Sequence, residues 1–202
     1  ETFPVLADDA SIVLVHDPKG IRVVRPHEGG EKLLKYRGMP WALSADRRFV
    51  VARPADRDGA FDILEIKTGK SRRVEATEVT VLAADDVLFT RMDYGRPFVR
   101  RESLATGAVA WTRNAATGTG AALPGWGFSG SPLVANDLVI VAASGRLAAY
   151  NLATGDPRWM MKEGRGSYAS PHMLTIGGVA QVVLLTGEGA TSQGEFHEAL
   201  NV

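Results

Sequence analysis

Leu104-Ala-Thr-Gly-Ala-Val-Ala-Trp111 and Leu152-Ala-Thr-Gly-Asp-Pro-Arg-Trp159 share one pattern, in which Leu-Ala-Thr-Gly is followed by three variable residues and a tryptophan. A weaker copy of the turn, Thr68-Gly69, stands one repeat before Thr106-Gly107. A still weaker copy around His27 to Glu31 places Gly30 one interval earlier again. The chain is therefore a repeat, with a period that averages about 42 residues.

The clearest repeat unit has the pattern of four short strands. Apolar, β-branched runs alternate with turn residues, and helical spacing is weak. Asn136-Asp137 and Thr154-Gly155-Asp156 supply hairpin turns, where glycine can adopt the positive φ that a tight reversal needs. The predicted strands are Ser131–Ala135, Leu138–Ala143, Arg146–Leu152 and Pro157–Met161. A four-stranded unit of roughly 40–50 residues is typical of a β-propeller blade.

The same pattern predicts an all-β chain, a β-propeller of four-stranded antiparallel blades that is incomplete or open. We expect one propeller region over 1–202, with about four blades and a partial fifth, at 3–37, 39–75, 78–114, 126–163 and 167–202. Strands in the first three blades are predicted at Ser11–Val15, Ile21–Val24, Lys32–Tyr36, Phe49–Ala52, Phe61–Ile66, Val87–Arg91 and Phe98–Glu102.

In its repeat motifs the chain resembles the PQQ-type β-propeller repeat proteins, a group that includes outer-membrane assembly lipoproteins. The segment from Ala149-Tyr150-Asn151 through Gly155 to Trp159 is similar to their repeat, and Gly130-Ser-Pro-Leu-Val134 and Ser170-Pro171 are similar to their blade openings. The resemblance implies that the tryptophan docks between neighbouring blades. The predicted structural repeat residues are Thr106, Gly107, Trp111, Asn151, Thr154, Gly155 and Trp159. The first two blades lack this tryptophan, and Arg73 stands at its position.

Composition excludes several classes of function. The chain has 202 residues, with 23 basic residues balancing 23 acidic ones, so no excess positive charge attracts nucleic acid. It has no cysteine, which removes disulfides, thiolate metal sites and thiol nucleophiles. No apolar run approaches the length of a membrane span. We therefore expect no nucleic-acid partner and no membrane span.

The resemblance also argues against the cofactor of the PQQ-dependent dehydrogenases. Those enzymes resemble eight-bladed propellers that hold the quinone on the central axis with calcium, a catalytic Asp and adjacent cysteines. This chain has no cysteine and about half the blades. The resemblance thus implies the repeat scaffold without PQQ, and we expect no cofactor.

Motifs for other chemistry lack the structural setting they need. Gly125-Trp-Gly-Phe-Ser-Gly130 fits G-x-G-x-x-G, but Pro124 precedes it and a strand follows it, so it predicts a glycine-rich blade connection. The four histidines have no metal-site spacing, and the pairs Asp8-Asp9 and Asp85-Asp86 are typical of hairpin turns. We predict no catalytic residue and no metal ligand.

The C-terminal segment raises a competing hypothesis. Gly187-Glu188-Gly189 and the residues that follow resemble the thiamine-diphosphate motif of 2-oxo acid dehydrogenase α subunits, with Glu188 in place of the family's Asp. The resemblance implies a cofactor site at Gly187, Glu188 and Gly189. The same residues also fit the third strand of a fifth blade, and the periodicity of the C-terminal end fits a strand or a helix equally.

Together these patterns predict a non-enzymatic scaffold that binds another protein. The resemblance implies the periplasm or the cell envelope as its location. The alternative is a fragment of a PQQ-dependent oxidoreductase. In a fragment, terminal blades would expose apolar faces, so the remaining propeller blades would be partners and the isolated monomer would behave poorly.

Overall fold

The structure is a computed structural model that describes residues 4–82, 86–91, 98–122, 130–164, 167–184 and 200–201, with 86–91 and 200–201 described as backbone. It confirms the prediction of an all-β chain built from four-stranded antiparallel sheets. Within the described residues there are four sheets of four strands and one sheet of three, each made of strands from one stretch of the sequence.

The first two sheets follow each other without a long connection. The first has the order β1-β2-β3-β4, with β1 Val5–Leu6, β2 Val13–Asp17, β3 Gly20–Arg25 and β4 Gly30–Leu34. The second has the order β5-β6-β7-β8, with β5 Gly38–Leu43, β6 Phe49–Pro54, β7 Ala60–Glu65 and β8 Ser71–Glu75.

The remaining sheets contain the two strongest copies of the repeat. The third is β9 Glu78–Val81, β10 Asp86–Arg91, β11 Phe98–Ser103 and β12 Val109–Asn114. The fourth is β13 Leu133–Ala135, β14 Leu138–Ala143, β15 Arg146–Asn151 and β16 Pro157–Met160. The fifth is β17 Pro171–Ile176, β18 Val179–Leu184 and β19 Leu200–Asn201.

One short helix was not predicted. Helix α1, Ala115–Thr119, begins where Asn114 Oδ1 accepts a hydrogen bond from the Thr117 backbone N–H, and it ends at Gly120, whose φ is +66°. Asn at the N-cap and glycine after the last turn are the usual boundary signals. The sequence shows both signals, in a stretch of Gly, Ala and Thr that lies between the predicted blades at 78–114 and 126–163. The described part of the chain contains no helix that is long and apolar enough to cross a bilayer.

The chain divides into two compact units. One consists of Glu1–Thr77, Val81–Val87 and Glu102–Ala108, and the other of Glu78–Thr80, Leu88–Arg101 and Val109–Val202. In the first unit, the core lies between the first two sheets and includes Leu14, Ile21, Val23, Val50 and Leu64. In the second unit, a core cluster joins β14 and β15 to Val182 of β18.

Candidate functional site

In the second unit, Trp111 rests on the Thr-Gly turn of the fourth sheet. Its side chain is buried, and Nε1 donates a hydrogen bond to the carbonyl oxygen of Leu152 at 3.0 Å. Gly155 has a φ of +71°, and a Cβ at this position would lie 2.6 Å from the Trp111 ring. The turn therefore needs glycine both for its backbone conformation and for the close approach of the indole.

The polar repeat residues shape these turns. Asn151 Oδ1 accepts hydrogen bonds from the backbone N–H groups of Ala153 and Thr154, each at 3.0 Å. In the preceding copy, Thr106 Oγ1 accepts from the Ala108 backbone N–H, and Gly107 has a φ of +76°. Side chains that hydrogen-bond the local backbone hold a turn in one conformation. These residues therefore hold the two turns in their conformation.

Trp159 lies in a similar setting at the far side of the fourth sheet. It pairs with Ala149 across β15 and β16, next to a register shift between Ala149 and Tyr150. Its half-buried ring packs against the cluster that includes Ala149 and Val182, so it lies between the fourth and fifth sheets.

The first two sheets make the equivalent junction with cations, which sequence comparison missed. Lys32 Nζ donates to the carbonyl oxygen of Ile66 at 2.7 Å, and Arg72 Nη2 donates to that of Leu104 at 3.2 Å. Ile66, Leu104 and Leu152 each stand three residues before the turn glycine, at Gly69, Gly107 and Gly155. A donor on the last strand thus reaches the same backbone carbonyl of the next sheet at three junctions.

The donor in the second sheet is Arg72, although alignment of the repeats places Arg73 at the position equivalent to Trp111. Arg72 pairs with Ile63 in β7 as Trp159 pairs with Ala149 in β15, whereas Arg73 pairs with Asp62. Neighbouring residues of a strand face opposite sides of the sheet, so a shift of one residue exchanges the two sides. In the fourth sheet, the register shift beside Trp159 places this tryptophan one residue further from the turn glycine than Arg72 is in the second sheet. This shift cannot be seen in the spacing of the sequence.

Arg73 instead holds a buried carboxylate. Its guanidinium donates to Asp62 at 2.8 and 2.9 Å, and the Tyr36 hydroxyl donates to Asp62 Oδ2 at 2.9 Å. Asp62 is only 4% exposed. The hydrogen bonds that Arg73 donates to Asp62 and then to Asp56 raise the pKa of Arg73, and burial together with Asp62 raises the pKa of Tyr36. A buried ion is tolerated here because the carboxylate is paired on both of its oxygens.

A second buried carboxylate has the same character. Glu102 is 3% exposed, and Arg72 Nη1 lies 2.5 Å from its Oε1. The same guanidinium donates to the carbonyl oxygens of Ser103 and Leu104. Both buried acids therefore support the first unit, and neither is presented to an open surface.

Among the described residues of the first unit, the most exposed aromatic side chain is on β5. The register of β5 against β6 shifts between Pro40 and Ala42, so Trp41 is an extra residue in the edge strand. Its side chain is 41% exposed, and that of Met39 is 44% exposed. Bulges turn side chains out of the regular sheet alternation and are frequent next to binding sites.

Arg53 and Phe61 fix the position of Trp41. The Arg53 guanidinium carbon lies 4.0 Å from the centroid of the Trp41 ring and 5.3 Å from that of Phe61. The two rings meet edge to face, with centroids 5.8 Å apart, and Phe61 is buried. We call Met39, Trp41, Arg53 and Phe61 the Trp41 surface. It combines a buried aromatic base with an exposed indole and a cation stacked on both.

A cavity of about 680 Å³ opens beside this surface. Its lining includes Met39, Arg53 and Phe61 of the Trp41 surface. The other charged or titratable residues that line it are His16, Arg57 and Asp58. Arg57 is paired with Glu75 at 2.7 Å. Binding pockets for small molecules span roughly 300–1,000 Å³, so this cavity has room for more than one side chain.

Several residues singled out in the sequence fall outside the described ranges. Gly187, Glu188 and Gly189 of the thiamine-diphosphate hypothesis do so, as does most of the glycine-rich segment from Gly125 to Ser129. Asp9 acts as predicted for a turn: its Oδ1 accepts from the Ser11 backbone N–H at 3.0 Å. Within the described ranges, no group of three His, Asp or Glu residues could hold a metal ion.

Comparison with solved structures places the fold. No protein-family model matches the chain, and no curated protein matches it. BamB from Moraxella catarrhalis is similar with a TM-score of 0.60 and 17% identity over 91% of this chain and 57% of that protein. AztD from Citrobacter koseri has a TM-score of 0.57 and 8% identity over 81% of this chain and 47% of its own. A europium-containing methanol dehydrogenase has a TM-score of 0.57 and 14% identity over 95% and 49%.

These neighbours are PQQ-like β-propellers, so the predicted resemblance is confirmed for the fold. The four-stranded sheets match an incomplete propeller of about four blades. The chain spans about half the length of the structures it matches. At these identities the similarity concerns the fold alone, and one propeller fold serves many unrelated functions.

Proposed function

We propose that this chain is a non-enzymatic β-propeller scaffold that binds another protein through the Trp41 surface. The observation that carries the proposal is the indole of Trp41, which projects from a bulged edge strand beside an open cavity. Tryptophan and arginine are the residues most enriched at the energetic centres of protein interfaces. Here the two are already stacked, so a partner would meet an ordered surface at little entropic cost.

The hydrogen bonds made by the two buried carboxylates support the role of a scaffold. Asp62 is held by Arg73 and Tyr36, and Glu102 is held by Arg72. A general acid or base needs a carboxylate that can reach a substrate. Both of these carboxylates are used inside the fold, which favours binding over catalysis as the function of the first unit.

The proposal includes the cell envelope as the location, which the resemblance seen in the sequence implies. It also includes the remaining blades of a propeller as partners. Leu6, Val15 and Leu33 are exposed on the face of the first sheet opposite the core residues Leu14 and Val23. The second sheet, in contrast, has buried residues on both faces, such as Val50 and Val51. Another blade would cover these exposed apolar side chains of the first sheet.

A pull-down compares the intact parent protein with its Trp41→Ala variant, and Val109→Ala serves as the control because Val109 is an equally exposed apolar residue. We expect one protein to be retained by the parent and by Val109→Ala and to be lost with Trp41→Ala. Retention by all three proteins would remove the Trp41 surface from the proposal.

The alternative, a fragment of a PQQ-dependent oxidoreductase, is favoured by the similarity to the methanol dehydrogenase. It predicts dye reduction by the parent protein that depends on calcium and PQQ. Such activity would overturn the non-enzymatic proposal, whereas its absence together with loss of the partner in Trp41→Ala would support the scaffold.

A further inference from the structure

We infer that the cavity beside the Trp41 surface is a binding site for a small, uncharged ring compound. This inference goes beyond the proposed function, because Trp41 itself does not line the cavity. Three features carry it: an apolar floor, cations at the rim that already have partners, and a volume that suits one small molecule.

The floor of the cavity is apolar and made of buried residues. They are Gly38, Pro54, Ala60, Phe61 and Ala76. Four of the five are small, so they leave room for a ligand. A ring that reaches Phe61 can adopt the offset or edge-to-face geometry that aromatic pairs prefer. A charged group at this floor would lose its hydration without gaining a counter-ion, so the floor favours an apolar ring.

The cations at the rim do not select an anion, because both are already engaged. Arg57 is paired with Glu75 at 2.7 Å, and the Arg53 guanidinium is stacked on the two rings of the Trp41 surface. Asp58, also at the rim, is exposed, so water solvates its carboxylate and it adds little to the binding of a cation. A charge of either sign on the ligand therefore gains no strong partner among these residues.

The dimensions of the cavity suit one small molecule. Its volume of about 680 Å³ lies within the range of roughly 300–1,000 Å³ that small-molecule pockets span. A Cβ built on Gly59, in the wall, would meet no atom within 4 Å, so the space over this residue is open. His16 is exposed in the lining, and its imidazole can hydrogen-bond one polar substituent. A ring that carries a single hydroxyl group meets these requirements.

The test compares three ligands that share the naphthalene ring and differ in charge. Naphthol is uncharged at neutral pH, naphthoate is an anion and naphthylmethylammonium is a cation. Ligand-observed NMR titration with the full chain gives the dissociation constant of each. We expect naphthol to bind about tenfold more tightly than either ion, because only the ions lose the hydration of a charge at the floor.

Two variants test the location of the site and the charge argument. Ala55 is exposed in the wall, so Ala55→Trp fills the cavity without entering the core, and Ala45→Trp is the matched control because Ala45 is exposed in the same unit outside the lining. We expect only Ala55→Trp to lose naphthol. Glu75→Gln leaves Arg57 without its carboxylate, and naphthoate should then bind several-fold more tightly than it binds the wild type.

Circular dichroism of each variant confirms that it is folded. The inference is overturned if naphthol does not bind, if an ion binds as tightly as naphthol, if Ala55→Trp and Ala45→Trp bind naphthol alike, or if Glu75→Gln leaves the binding of naphthoate unchanged. Displacement of the retained partner by naphthol in the pull-down would show that a side chain of the partner fills the cavity, and would overturn the small-molecule assignment. The Trp41→Ala pull-down tests the scaffold separately, so that proposal stands even if the small-molecule site is rejected.

Discussion

The indole Nε1 of Trp111 donates to the backbone carbonyl of Leu152, so the last strand of one sheet is fastened to the third hairpin of the next. Arg72 with Leu104 and Lys32 with Ile66 repeat this contact in the first unit. The acceptor is always the residue three positions before a turn glycine. Because a backbone carbonyl accepts from any donor, the junction can be kept while the side chain changes from indole to guanidinium to ammonium.

Replacing Trp111 separates the hydrogen bond from the packing. We expect Trp111→Phe to lower the free energy of unfolding by about 1 kcal/mol through loss of the indole hydrogen bond, although Arg101 Nη1 still donates to the Leu152 carbonyl at 3.0 Å. We expect Trp111→Ala to lower it by about 3–5 kcal/mol. Urea unfolding followed by circular dichroism measures both. Trp159→Phe is the matched control, since Trp159 is only half-buried and donates no hydrogen bond to another described residue. Equal losses for Trp111→Phe and Trp159→Phe would contradict the role of the Leu152 contact.

Removing Arg72 leaves a buried carboxylate behind. We expect Arg72→Met to lower the free energy of unfolding by about 3 kcal/mol, because Glu102 loses its guanidinium partner inside the protein. The double variant Arg72→Met with Glu102→Leu should recover much of that loss, as apolar replacement of a buried pair often does. Arg22→Met is the control, because Arg22 itself is exposed and its ion pairs with Asp17 and Glu31 lie at the protein surface, where ion pairs contribute little to stability. No recovery in the double variant would show that the pair is not the cause.

Two turn glycines differ in what surrounds them. Gly69 and Gly155 have φ values of +73° and +71°, but a Cβ at Gly69 would meet nothing within 4 Å, whereas at Gly155 it would meet the Trp111 ring. We expect Gly69→Ala to cost about 1–2 kcal/mol of stability from backbone strain alone. Gly155→Ala should cost roughly a further 1–3 kcal/mol from overpacking. Thermal unfolding of the two variants gives the comparison, and equal melting temperatures would mean that Trp111 does not rest on this turn.

Much of this organisation is visible in the sequence, and the reasons for the exceptions are local. The Leu-Ala-Thr-Gly copies and the alternation around Leu138–Ala143 predict strands that the structure reproduces within a few residues. The junctions of the first unit were missed because the spacing of the repeats aligns Arg73 with Trp111. The strand register instead makes Arg72 the residue that reaches the next sheet. The Trp41 surface was missed because a bulge inserts one residue without any mark except Pro40, which is common at sheet edges.

Tyr150 and Tyr36 should respond oppositely to loss of the hydroxyl. The Tyr150 hydroxyl is buried and has no hydrogen-bond partner among the described residues, so we expect Tyr150→Phe to leave the free energy of unfolding unchanged or to raise it. Tyr36→Phe removes the donor to Asp62 and should lower it by about 1–2 kcal/mol. Denaturant unfolding at neutral pH distinguishes the two, and a large loss in Tyr150→Phe would reveal a hydrogen-bond partner for this hydroxyl.

The buried hydroxyl of Tyr150 also makes the stability of the protein depend on pH in the alkaline range. Burial raises the pKa of Tyr150 to about 12, above the value of about 10 in the unfolded chain. Between these values the folded state binds more protons than the unfolded state, so stability falls as pH rises from about 10 through 12. We expect the free energy of unfolding of Tyr150→Phe to fall less over this range than that of the wild type. Parallel pH profiles would show that Tyr150 ionises normally in the folded protein.

Site-specific photo-crosslinking in the intact parent protein tests the central claim most directly. A photoreactive residue replaces Met39, at the rim of the Trp41 surface, and in a second protein it replaces the equally exposed Val109. We predict one discrete crosslinked protein from position 39, absent from position 109 and reduced by Arg53→Gln. Crosslinks that are equal at both positions, or none at position 39, would contradict the assignment of the Trp41 surface as the site that binds a partner.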